Sequence, residues 1–371
     1  MPDDLRDFLR LALTPGIGGV FFRALVDHFG SASAALAANP SQIGEVPGFG
    51  PKRAADFVAA RAAVEVESEI KRAAEHNVRI VPFGSPDYPI ALTYLAGPPP
   101  VLYVRGSLLP TDARAFAIVG SRRCSLYGQE QAERFGGALA RAGFTVVSGL
   151  ARGIDLQAHL GALRAGGRTI AVLGNGLSSI YPPEHAAHAE AIAAAGAVVS
   201  EFPMDVGPSQ ENFPRRNRVI AGLSLGVLVV EASLRSGALI TAGFAAEQGK
   251  DTFAIPGRID SPFAQGSHRL IQDGAKLVQC LEDILEEYAD LGLTTPAGEG
   301  RDVPSPLAQP LDAQEQAILA ALDGDPLTGD EISRRAALPI SAVAANLTIL
   351  ELKRLVQSVP GQRYARRTRA N

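Results

Sequence analysis

Cysteine is nearly missing: the 371-residue chain has only Cys124 and Cys280, and no C-x-x-C pairs them. That excludes a disulfide framework and a zinc cluster, and it suits a reducing cytoplasm. Lysine is scarce as well, at positions 52, 71, 250, 276 and 353 among 35 basic residues. The remaining arginines are planar forks that match phosphate, and codon bias explains them equally well. No apolar run is long enough to span a bilayer, the longest being Val219 to Val230, and residues 1–7 are acidic where a signal peptide would be basic. The expectation is a cytoplasmic protein with no membrane partner. An excess of one charge is missing too: the net charge of -4 gives no global attraction for nucleic acid, so any polyanion site has to be a local patch.

Several chemical signatures are also absent. There is no G-x-x-x-x-G-K-[ST], and the nearest approach to a dinucleotide fingerprint, Gly174-Asn175-Gly176, lacks the third glycine and runs into Tyr181-Pro182. Nucleotidase and NAD chemistry are not supported, and no cofactor is expected. Ser148 and Ser200 have no evident His-Asp partners in sequence, while His185 and His188 have no third ligand nearby and read as surface histidines. No catalytic residue and no metal site are assigned.

What is present falls into three parts. Residues 1–65 read as short helices around two glycine turns, Thr14–Gly19 and Val46–Arg53. Such turns let backbone N–H groups approach a DNA phosphate, with Lys52 and Arg53 beside it as duplex contacts. Equally, they are tight turns of a small packing module. Residues 66–290 alternate short apolar runs with Ala-rich helical stretches, the pattern of an α/β fold with a parallel sheet. The expected strands are 116–119, 145–148, 169–173, 198–200, 227–230 and 252–255; the expected helices are 128–142, 155–166, 184–195 and 238–248, with an extended edge segment at 78–110. Pro, Gly and Ser mark 291–310 as a linker. Residues 311–371 read as helices at 312–322, from Thr328, and at 341–355, followed by a hairpin. Three helices and a hairpin make a winged helix, ending in a basic tail with Arg363, Arg366, Arg367 and Arg369.

In a parallel sheet, ligands bind beyond the carboxyl ends of the strands. The residues there are Gly120-Ser121-Arg122-Arg123, Gly149 to Gly153, Gly174 to Gly176, Glu201, Glu231 and Pro256-Gly257-Arg258. Glycines permit close approach, and hydroxyls and arginines bind phosphate oxygens. The densest anomaly is Gln210-Glu-Asn-Phe213-Pro-Arg215-Arg216-Asn217-Arg218, placed before a helix start at Val219. Arginines around an aromatic ring suit single-stranded nucleic acid, whose phosphates pair with Arg while an unstacked base lies on the ring. A packing reading stands beside this one, with Phe213 as a core plug and the arginines paired to Glu201 or Glu231.

The central region resembles the DNA processing protein A family (DprA, also called Smf). The matching segments, in family order, include Val119-Gly-Ser-Arg122, Val147-Ser-Gly-Leu-Ala-Arg-Gly-Ile-Asp155, Ile180-Tyr-Pro182, Phe213-Pro-Arg-Arg-Asn-Arg218, Ser236-Gly-Ala-Leu-Ile-Thr-Ala242 and Ala254-Ile-Pro-Gly257. The resemblance implies a Rossmann-like core between an N-terminal SAM-like helix-hairpin-helix domain and a C-terminal winged helix. It further implies a non-enzymatic homodimer that binds single-stranded DNA and loads the RecA recombinase in natural transformation, with single-stranded-DNA-binding protein as a further partner. Carried onto this chain, the DNA pocket uses Gly120, Ser121, Arg122, Gly149, Gly153, Gln210, Phe213, Arg215, Asn217, Arg218, Ser236 and Gly237. Gln210 stands where several members have a basic residue, leaving Arg215 or Arg216 to substitute, and Ser267-His268 replaces a more usual Cys-Asn pair.

Two other classes compete. A phosphoribohydrolase-like enzyme would use Glu231 as acid or base, but its P-G-G-x-G-T-x-x-E run is represented here only by Ser236-Gly-Ala-Leu-Ile-Thr-Ala, without the closing Glu. A duplex reader would use 341–355 as a recognition helix, yet that stretch is poor in Arg and Gln.

Overall fold

The computed structural model describes residues 5–291, 311–322, 326–352, 355–359 and 363–366. The chain divides into two compact units, 1–296 and 297–371. Nearly all of the expected linker, and Arg367 and Arg369 of the basic tail, lie outside the described residues.

The first unit opens with six helices: α1 (Leu5–Leu13), α2 (Gly19–Phe29), α3 (Ala32–Ala37), α4 (Pro40–Gly44), α5 (Pro51–Arg61) and α6 (Val66–Glu75). Both expected hairpin turns are present, and each needs a left-handed glycine, Gly16 at φ 83° and Gly48 at φ 86°. The helices close over an aromatic core in which Phe8 meets Phe22 at 4.7 Å and Phe49 meets Phe57 at 6.2 Å. Helix α6 ties this bundle to the loop around Met204: buried Glu69 accepts a 2.8 Å hydrogen bond from the Met204 amide, and Arg72 pairs with Asp205.

The sheet is then built in chain order: β1 (Val78–Pro82), α7 (Ile90–Thr93), β2 (Val101–Gly106), β3 (Ala115–Val119), α8 (Leu126–Arg141), β4 (Thr145–Ser148), α9 (Ile154–Arg164), β5 (Thr169–Leu173), α10 (Ala186–Ala195), β6 (Ala197–Ser200), α11 (Asn212–Leu223), β7 (Gly226–Val229), α12 (Gly237–Glu247), β8 (Asp251–Ala254), α13 (Gln265–Gln272), β9 (Lys276–Leu277) and α14 (Glu282–Leu285). The spatial order is β1-β2-β6-β5-β4-β3-β7-β8-β9. From β6 to β9 every pair is parallel, while β1–β2 and β2–β6 are antiparallel, so the segment read as edge structure supplies two paired strands. Strands β3 to β7 are buried throughout, as sheets covered on both faces require. One face packs Phe116, Phe135, Phe144, Phe253 and Tyr288 beneath α8 and α9; the other packs Val119, Val147 and Val229 against α11 and α12.

The second unit contains α15 (Ala313–Ala321), β10 (Leu327–Thr328), α16 (Gly329–Ala336), α17 (Ile340–Leu352), β11 (Val356–Val359) and β12 (Arg363–Arg366). Its three strands pair in the order β10-β12-β11, which adds a short third strand to the expected hairpin. Thr328 caps α16 in a capping box with Glu331, as the sequence predicts. Among the described residues no helix is long and apolar enough to cross a membrane.

Candidate nucleic-acid interface

The strand order reverses between β3 and β7: the chain runs from β3 through β4 and β5 to β6 on one side, then crosses to β7 and β8 on the other. A crevice opens at such a switch point, beyond the strand carboxyl ends. Here it is a cleft of about 580 Å³ whose walls include Gly120, Ser121, Arg122, Phe213, Asn217, Ser236 and Gly237. Of the residues singled out in the sequence, these seven meet around one space. Gly149 borders a smaller depression behind Phe213, and Gly153, Gln210, Arg215 and Arg218 stand outside the cleft walls.

The turn after β3 is held from below. Ser121 donates its amide to the Glu231 carbonyl at 2.8 Å and its hydroxyl to the Arg123 carbonyl at 2.6 Å, and this leaves Arg122 and Arg123 exposed at the rim. Gly153 presses against the same turn at φ 78°, where a Cβ would lie 2.5 Å from the Ser121 carbonyl oxygen. No other residue fits there without moving the turn.

Helix α11 delivers the rest, and it starts at Asn212 rather than at Val219 as the apolar pattern suggests. Pro214 is tolerated because first-turn N–H groups have no helical acceptor. Phe213, half-buried, carries the Arg122 guanidinium over its ring at 4.5 Å and meets Tyr181 at 6.0 Å. Arg215 is exposed, its guanidinium 5.2 Å from the Phe202 ring. Among the described residues, no carboxylate forms an ion pair with Arg122, Arg123, Arg215 or Arg235.

Three polar residues of α11 are also tied into the fold: Arg216 and Asn217 are buried while lining the cleft, and Arg218 is partly buried. Arg216 is 4% exposed, donates to the Gly149 carbonyl at 2.7 Å and to the Val172 carbonyl, and lies beside buried Asp155. Burial draws its pKa down to about 10, and burial also pushes the Asp155 carboxyl up against the opposing pull of Arg216. Arg216 therefore does not stand in for a basic residue at 210. Gly149 is needed because a Cβ there would sit 2.2 Å from the Arg216 guanidinium. Asn217 is buried too, donating to the Gly237 carbonyl at 3.2 Å while its Oδ1 accepts from Arg216. Arg218 pairs with Glu201 and donates to the Gly97 carbonyl at 2.6 Å, as the packing reading foresaw. Gln210 is exposed in the loop before α11.

Glu231, the acid or base of the enzyme reading, is 5% exposed, and both its oxygens are engaged. They accept from the Ser125 amide at 2.8 Å and the Ser125 hydroxyl at 2.5 Å, while that hydroxyl caps α8 by accepting from Gly128. A carboxylate so used holds a helix terminus in place. His185 is buried, not at the surface, with Nδ1 2.9 Å from the Leu150 carbonyl oxygen. Among the described residues no group of three potential ligands could hold a metal. In the N-terminal bundle, Arg53 turns back onto its own hairpin, 4.4 Å over the Phe21 ring and donating to the Gly48 carbonyl at 2.8 Å; Lys52 remains exposed. The sequence reading missed three residues of the cleft wall, Ile240, Pro262 and Phe263. They come from a loop and a helix face without a basic or glycine-rich signature.

Residues 79–289 match the family model for DNA recombination-mediator protein A, residues 2–71 a DprA-like N-terminal HHH domain, and residues 302–362 a DprA winged helix domain. A Synechocystis relative, Protein Smf, is 37% identical over 382 residues, covering 95% of this chain and 96% of its own. The crystal structure of DNA processing protein A from Streptococcus pneumoniae superposes with a TM-score of 0.69 at 33% identity, covering 77% of this chain and 99% of that one. DNA processing protein A from Helicobacter pylori, described for a unique single-stranded DNA binding mode, aligns with a TM-score of 0.52 at 28% identity, over 58% of this chain and 98% of that one. On the match across its central sheet and on its likeness to these relatives, the chain belongs to the DNA recombination-mediator protein A (DprA/Smf) family.

Proposed function

We propose that the chain binds single-stranded DNA in the cleft between β3 and β7 and passes the strand to a RecA-type recombinase during recombination of transforming DNA. The observation that carries this reading is the Arg122–Phe213 pair: an exposed guanidinium over a half-buried ring, beside arginines that form no ion pair with a carboxylate among the described residues. Phosphate takes the guanidinium and an unstacked base takes the ring. The single-stranded DNA binding described for the Helicobacter pylori relative supports the same assignment. Gly120, Ser121, Ser236 and Gly237 shape the walls, while Gly149, Gly153, Asn217 and Arg218 act by positioning. Gln210 and Arg215 serve the outer path of the strand. The protein acts in the cytoplasm as a homodimer without catalysis, its helical N-terminal part (1–65) and winged helix (311–371) flanking the binding core (66–290), with single-stranded-DNA-binding protein as a further partner.

Fluorescence anisotropy with labelled single-stranded and duplex oligonucleotides of equal length tests the binding step. Single-strand preference that weakens with salt is expected; equal affinity for the duplex, or none for either, rejects the reading. Recombinase transfer is tested by RecA filament growth on strands already coated by single-stranded-DNA-binding protein, with and without this chain.

A further inference from the structure

Part of the cleft wall is apolar and has no assigned role. It is made by Pro262, half-buried Phe263 and Ile240, which is 43% exposed, with Arg123 on the turn after β3 also bordering the space. Leu234, 59% exposed, and Arg235, without an ion pair among the described residues, lie in the segment between β7 and α12 that also supplies Ser236 to the cleft. Single exposed apolar side chains are common on protein surfaces, but apolar side chains and arginines lining one cleft mark a ligand with both charged and flat apolar parts. Phe263 packs against no other aromatic ring among the described residues.

The loop that carries Phe263 is anchored at both ends. His268 Nε2 lies 3.0 Å from the Gly257 carbonyl oxygen, and the Gly266 amide donates to the Ala232 carbonyl at 2.7 Å. Within it, the Phe263 amide donates to the Ser261 hydroxyl at 3.3 Å and the Ala264 amide to the Ser261 carbonyl at 3.1 Å. His268, whose place in the sequence had no evident reason, is thereby the staple that holds this loop against the sheet. Preorganised walls lower the ordering cost of binding.

We propose that Phe263 is a second base-stacking platform, so that the cleft grips two unstacked nucleotides, one on Phe213 and one on Phe263, with Arg122 and Arg123 of the same cleft taking phosphate. This rests on the single-stranded DNA reading above and adds a residue to it. A cleft of about 580 Å³ lies within the roughly 300–1,000 Å³ that holds small-molecule ligands, which leaves room for more than one base.

The test uses the full chain with a fluorescein-labelled oligothymidylate and three variants, Phe263→Ala, Phe263→Trp and Arg122→Ala. Because the chain has no tryptophan, Phe263→Trp supplies a single emitter at the platform. Loss of one stacked base by alanine substitution corresponds to a drop in affinity of roughly five- to 150-fold, so Phe263→Ala should weaken binding by that range. Phe263→Trp should retain affinity, and its emission should be quenched as the oligonucleotide binds. Unchanged affinity in Phe263→Ala, with Arg122→Ala still impaired, overturns the second platform and leaves the cleft assignment standing. Full affinity in both alanine variants rejects the cleft assignment itself. If Phe263→Ala is impaired but Phe263→Trp shows no quenching, Phe263 supports the loop rather than a base, and the proposal fails.

Discussion

Arg122 and Arg216 belong to one guanidinium-rich cleft and do opposite work. Arg122 is exposed, with Phe213 beneath it, and forms no ion pair among the described residues. Arg122→Ala should lower single-strand affinity by roughly tenfold or more, since a hydrogen bond to a charged group contributes about 1.5–3 kcal/mol, while the urea midpoint stays where it was. A lowered midpoint together with lost binding would make Arg122 a structural residue. Arg216, by contrast, is buried and joins the exits of β4 and β5 by donating to the Gly149 and Val172 carbonyls. Arg216→Met removes the donor from both buried carbonyls, and leaving a buried acceptor unsatisfied costs about 1–3 kcal/mol. Urea denaturation should show that loss; a midpoint equal to wild type would mean that both carbonyls find other donors. No reading of the sequence could separate these residues, because Arg215, Arg216 and Arg218 share one nine-residue run. Their directions follow from the helix phase, in which neighbours differ by about 100°, and that phase requires knowing that α11 begins at Asn212.

At the scale of elements, the strands of the parallel sheet were legible to within about a residue because each is a short apolar run ended by a glycine or polar turn. Thr145–Ser148 and Thr169–Leu173 coincide with expectation, and Ala115–Val119 and Gly226–Val229 shift by one. Helix α11 was legible only in its second half. Its first turns bury Arg216 and Asn217, so polar residues occupy the face where periodicity looks for apolar ones. Strand β9 escaped notice because two residues carry no pattern. A titratable join between α9 and β5 offers a measurement at this scale. Thr169 donates its hydroxyl to the Val146 carbonyl at 2.7 Å, so its oxygen accepts from His159 Nδ1 at 2.6 Å and leaves buried Nε2 without a proton. Burial first, then Arg216 and His185, lower the His159 pKa from 6.5 to about 3. The unfolded chain therefore binds a proton that the folded one refuses: this contribution to stability is whole above pH 6.5 and drains away as pH falls toward 3. One group supplies a slope of at most about 1.4 kcal/mol per pH unit. Urea midpoints measured between those limits should fall more steeply for wild type than for His159→Gln; parallel curves would show that His159 is not kept neutral.

For the whole molecule the question is how a chain of net charge -4 holds a polyanion. The answer is local: the cleft region carries four exposed arginines, Arg122, Arg123, Arg215 and Arg235, with no ion-paired carboxylate among the described residues, whereas exposed Arg79 and Arg164 elsewhere are paired with Asp87 and Glu133. Helix α17, the segment a duplex-reading winged helix would use, has Glu351 as its sole charged residue, so it offers no cation to a phosphate. Counterion release turns this distribution into a number. Each phosphate neutralised on a single strand contributes roughly -0.7 to the slope of log K against log salt, and four arginines predict about -3. Anisotropy titrations across a salt series measure it directly, and Arg122→Ala should make the slope shallower by roughly 0.7. A wild-type slope near zero would mean that stacking alone holds the strand and that the arginines are bystanders. A slope steeper than about -5 would require more cations than the cleft region supplies, and the first to examine would be Lys52, left exposed at the start of α5 where Arg53 folds back on its own hairpin.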